Sequence, residues 1–96
     1  MTEEYDAYVG DVGIEIVLDV GADISGASAL KIKYTRPNGD ANDWDAGEKT
    51  ATSLCYVTKA GDLNNAGIWK LQAYAETAGW KLHGKVVEFH VGGILT

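Results

Sequence analysis

The sequence predicts an all-β protein: an immunoglobulin-like antiparallel β-sandwich of about seven strands, formed by residues 1–96 as one domain. Three observations carry that expectation. Several short runs alternate apolar and polar residues with a period of two, the mark of strands with one buried face. Turn residues break those runs about every 8–15 residues, as a sandwich requires, and twelve glycines stand beside one proline. No stretch carries a convincing helical repeat.

The elements follow in chain order. VGIEIVLDV places Val12, Ile14, Ile16, Leu18 and Val20 on one face and Gly13, Glu15, Val17 and Asp19 on the other. Leu30, Ile32 and Tyr34 then alternate with Lys31, Lys33 and Thr35. That strand ends at RPNG, where Pro37 presets φ and Asn38-Gly39 tolerate positive φ. DANDWDAGEK, residues 40–49, is polar around Trp44 and reads as a loop or short edge strand. TSLCYVT is rich in β-formers, with Leu54 and Tyr56 inward. After AGDLNNAG, Trp69, Leu71, Ala73 and Ala75 alternate with Lys70, Gln72, Tyr74 and Glu76. The last run sets Val87, Phe89 and Val91 against Val86, Glu88 and His90, and Gly84 within it suggests a bulge.

Composition narrows the function. An apolar fraction of 46% and a charged fraction of 23% describe an ordinary globular chain. The net charge of −6 disfavours binding to a phosphate backbone, so no nucleic-acid partner is expected. No apolar run reaches the roughly 20 residues of a helical bilayer span, so no membrane partner is expected. MTEEYDAY lacks the apolar centre of a secretory signal. Cys55 stands alone, which precludes an intramolecular disulfide and fits synthesis in a reducing cytoplasm.

The candidates for chemistry are few. Ser25 and Ser28 in SGAS need a nearby base, and only His83 and His90 offer an imidazole. The pattern G-x-S-x-G is absent, so the stretch reads as a turn and the protein as a non-enzyme. Asp40, Asp43, Asp45 and Glu48 gather four carboxylates, but Trp44 occupies the third ligand position of a calcium loop. A solvated acidic loop is the expectation. His83 and His90 fall on opposite strand faces unless a bulge intervenes, and no second pair has zinc spacing. Neither metal nor cofactor is expected.

NAGIWKL, Asn65 to Leu71, resembles the start of an immunoglobulin F strand, with Trp69 in place of the corner tyrosine. Taken with DISGAS (Asp23–Ser28), LKIKYT (Leu30–Thr35) and RPNG (Arg36–Gly39), the chain resembles the immunoglobulin-like domain of bacteriophage baseplate upper proteins and related tail proteins. The resemblance runs from about Val9 to Val91. It implies a virion structural protein of tail, baseplate, neck or head decoration, made in the bacterial host cytoplasm and acting by protein–protein assembly.

Such a part works through partners, as a homo-oligomer or with other structural proteins. The candidate contact set is Trp44, Tyr74, Trp80, Ile94 and Leu95. Trp44 sits in a polar loop and Trp80 beside a Gly79 turn, while Tyr74 falls on an outer strand face. Ile94 and Leu95 follow the flexible Gly92-Gly93. Val17 and Val86 add apolar positions on outer faces. The alternative is a carbohydrate- or receptor-binding module in which Trp44 and Trp80 form a sugar platform.

Overall fold

The structure, a computed structural model, describes residues 5–94. Eight strands follow in order: β1 (Ala7–Tyr8), β2 (Glu15–Asp19), β3 (Ala29–Thr35), β4 (Ala41–Asp45), β5 (Gly47–Thr50), β6 (Ser53–Val57), β7 (Gly67–Thr77) and β8 (Trp80–Gly92). They form a five-stranded sheet, β1-β8-β7-β3-β4, and a three-stranded sheet, β2-β6-β5. This is the immunoglobulin-like sandwich that the alternating runs predict. The strand beyond the expected seven is β1, which pairs parallel with β8 through Ala7–Val91 and Tyr8–Gly92.

Residues 40–49 resolve into two edge strands. β4 closes one side of the five-stranded sheet and β5 one side of the smaller sheet. Ala46 alone separates them, so the chain changes sheet within one residue. Because β4 is folded onto β3, with Trp44 opposite Ile32, the indole points inward and is only 7% exposed. The expected surface position of Trp44 is therefore corrected. The single large apolar residue of ANDWD marks the buried face of an edge strand, not a loop.

The core joins Ile16 and Leu18 of β2 and Leu54 of β6 to Ile32, Tyr34, Leu71, Ala73, Ala75 and Val91 of the larger sheet. An aromatic row crosses it. Trp44 stacks on Tyr56 with centroids 4.8 Å apart and planes at 7°, lies 4.4 Å from Tyr34, and stacks on Trp69 at 6.1 Å. Leu63, from the AGDLNNAG segment, is also fully buried. Val12 departs from the expected inner row and is 60% exposed. Gly13 at φ +86° turns the chain there, and the strand begins only at Glu15.

Two local devices lock the fold. The Trp69 indole N–H donates to the Asn65 carbonyl at 2.9 Å, so the tryptophan supplies the hydrogen bond that a tyrosine hydroxyl gives in an immunoglobulin corner. The bulge expected at Gly84 is present, since Gln72 and Tyr74 of β7 face Val86 and His83 of β8. A Cβ on Gly84 would stand 2.8 Å from the Asp19 carbonyl oxygen, so only glycine lets β8 approach β2 this closely. The bulge also changes the parity between His83 and His90 and brings both to the outer face, opposite Tyr74 and Ile68.

The turn after β6 is held by Asp62, whose carboxylate accepts from the Tyr56 hydroxyl at 2.5 Å and from the Lys59 N–H at 2.7 Å. Burial, and then the Asp62 carboxylate, raise the Tyr56 pKa well above its ordinary value. A raised folded value means that the contribution is complete below about pH 10 and is lost as pH rises through the folded value. The melting temperature should thus fall more steeply above pH 10 for the native chain than for Tyr56→Phe. Equal slopes in thermal melts between pH 8 and 12 would refute that linkage. At neutral pH Tyr56→Phe should cost about 1.5–3 kcal/mol, one hydrogen bond to a charged carboxylate.

Candidate interaction surface

The serine segments are architectural. Asp23 accepts the Ser25 N–H at 2.8 Å, and that bond, with a second from the Ser25 side chain, holds the Asp23 carboxyl below its ordinary range. Ser28 donates both its N–H (2.8 Å) and its hydroxyl (3.0 Å) to the Glu76 carbonyl, tying the turn to β7. Among the described residues, no three His, Cys, Asp or Glu side chains are placed to share a metal ion.

The predicted contact residues do not meet. Tyr74 lies half-buried on the outer face of β7, with its hydroxyl donating to Glu76. The Lys33 amine sits 4.5 Å above its ring and the His83 ring is 4.9 Å away. Trp80 is half-buried at the start of β8 and packs against the core. Ile94 is 54% exposed beyond the other end of β8, roughly 40 Å of extended chain away. Leu95 lies outside the described residues. With Trp44 in the core, no platform of Trp44 and Trp80 forms.

A shallow groove of about 470 Å³ does open on the outer face of the larger sheet. Lys33, Thr35, Asp43, Lys70, Gln72 and Val86 line it. It offers amines, a carboxylate and an amide, and the one aromatic residue that borders it, Tyr34, is buried in the core.

The two long edges of the larger sheet differ in chemistry. At β4, Asp43 and Asp45 pair with Lys31 at 3.5 and 3.2 Å, and the hydrogen bond to Asp45 leads the rise in the Lys31 pKa. Asn42 Oδ1 accepts the Asp43 N–H at 2.9 Å. Acidic side chains and a capped N–H blunt this edge against strand pairing.

The opposite edge gathers more exposed apolar side chains. Tyr5, Tyr8, Ile68, Val86, Val87 and Ile94 are all exposed, and all lie on β1, on β8, beside them, or directly across on β7. The Tyr5 and Tyr8 rings, 5.6 Å apart, close over Gly92, where any Cβ would clash at 2.8 Å. Sequence reasoning found Val86 and Ile94 here but missed Tyr5, Tyr8, Ile68 and Val87. Two tyrosines three residues apart in an otherwise acidic start were the available signal for the first two. Val87 was assigned to the inner face, yet it is 38% exposed.

Comparison with known proteins finds no matching family model, no matching curated protein and no matching solved structure.

Proposed function

We propose that the chain is a bacteriophage virion structural module, a non-enzymatic immunoglobulin-like building block that acts by protein–protein assembly. The observation that supports this best is the group of exposed apolar side chains at the β1–β8 edge, on the far side of the sheet from an acidic β4 edge. Exposed tyrosines and aliphatic residues gathered around one edge of a small domain have the composition of a docking surface. Serines that hold turns fit a part whose role is architectural. The motifs DISGAS, RPNG and AGIWKL point the same way by resemblance. Tail, baseplate, neck and head decoration are all positions that such a part serves.

The test is mass spectrometry of purified, banded particles from the source strain. The 10.2 kDa chain should appear at stoichiometric copy number. Its absence from complete particles would overturn the proposal.

A further inference from the structure

We propose that the free edge of β8 between Lys85 and Phe89 accepts an extended strand from a different polypeptide, one with apolar residues facing inward and a lysine or arginine beside Glu88. This names the attachment surface of the assembly reading and rests on it.

The edge is open for a definable length. One side of β8 is paired with β7 along nearly its whole course. On the other side β1 reaches only Val91 and Gly92, with Asp6 bonded to His90, and at Gly84 the bulge begins where the end of β2 crosses the inner face. Between those two contacts lie five residues, Lys85 to Phe89, or roughly 17 Å of strand.

The backbone direction follows from His90. Its carbonyl accepts the Asp6 N–H at 2.9 Å and its own N–H donates to the Asp6 carboxylate at 2.8 Å, so both groups face away from β7. By the alternation of an antiparallel ladder, the N–H and C=O groups of Glu88 and Val86 face the same way. They present two donors and two acceptors along the open edge. The side chains tell the same story. Val87 stands opposite the buried Leu71 and Phe89 opposite the buried Trp69, yet neither is fully covered. Val86, on the outer face, is 58% exposed.

The other edges are protected. β4 carries its aspartates and capped N–H, β5 has four residues and a register break, and β1 has two residues. β2 presents Glu15 and Asp19, with Glu15 strapped to Lys49 at 3.1 Å.

Charge decides the occupant. The Glu88 carboxylate is well exposed, with Lys70 opposite it on β7 and the His90 ring 3.9 Å away, Lys85 marks the other end of the edge, and the chain carries −6 overall. The edge strands β2 and β4 of a second copy bring Glu15, Asp19, Asp43 and Asp45, and its open β8 edge brings a second Glu88, so each would repel it. Its alternating basic run, LKIKY, is β3, held between β7 and β4. Glu3-Glu4, which precede β1 in sequence, are likewise acidic. A heterologous basic and apolar strand fits best, joined by main-chain bonds to Val86 and Glu88.

The probe is a blocked peptide of alternating lysine and valine, with a glutamate–valine peptide as control. Titration into isotope-labelled protein should shift the Val86 and Glu88 amide signals with the lysine peptide only. Glu88→Pro and Val86→Pro remove donors that face away from β7, so the fold should persist while affinity falls about tenfold. Should either proline variant fail to fold, Glu88→Lys is decisive, because it should switch preference to the glutamate peptide. Absence of binding, undiminished binding by folded proline variants, or an unchanged preference in Glu88→Lys would overturn the proposal. Particle composition separates the two readings. A chain found in particles that ignores the peptide loses only this edge, whereas a chain absent from particles that binds it loses only the virion role.

Discussion

Trp69→Ala should lower stability by about 3–5 kcal/mol, a large share of the roughly 5–14 kcal/mol expected for a domain of this length. The indole is completely buried between the sheets and packs against Tyr34 and Trp44, at 5.6 and 6.1 Å. Removing it opens a cavity that the flanking β7 and β8 backbones cannot collapse to fill. It also leaves the Asn65 carbonyl without its N–H donor. Arg36, whose guanidinium lies 5.2 Å over the indole and 4.8 Å over Tyr34, loses one of its two supporting rings. Trp69→Phe separates the contributions: it restores much of the volume without the N–H and should recover part of the loss. Chemical denaturation of the three proteins measures both, and a Trp69→Ala loss below about 1 kcal/mol would show that the corner does not anchor the sandwich.

Trp44→Ala should be comparably severe, again about 3–5 kcal/mol. A tryptophan in an exposed loop would lose no more than about 0.5 kcal/mol on truncation, so this variant separates the two placements cleanly. Trp44 lies between the rings of Tyr34 and Tyr56 and completes the aromatic row that ends at Trp69. Each such pair contributes about 0.5–1.5 kcal/mol beyond area burial. Truncation should also loosen Tyr56 and, through it, the Asp62 turn. Thermal melting is sufficient to measure the effect. A change of a few degrees or less would return Trp44 to the surface.

The strands that alternate cleanly were legible in the sequence because period two records which face meets the core. Ile16, Leu18, Ile32, Tyr34, Leu54 and the Trp69–Ala75 row are buried as that period requires. β4 was harder because an edge strand facing water on most sides needs only one buried side chain, and ANDWD buries only Trp44. Leu63 gave no periodic signal, since it reaches the core from a turn. The candidate surface was least legible of all. Its apolar character depends on which strands fall at an edge and how far β1 covers β8, and pairing is a property of residues more than eighty positions apart. The residues Val86 and Ile94 could be suspected singly, but their common edge could not.

The parallel pairing of β1 with β8 has a mechanical meaning. Tension that draws the start of β1 away from the end of β8 pulls these strands along their own axes in opposite directions. The Asp6–His90 and Val9–Gly92 bonds, both 2.9 Å, are then sheared together, not peeled apart one after another. The second Asp6–His90 contact shares that load. A short strand that adds little burial thus acts as a clasp against stretching.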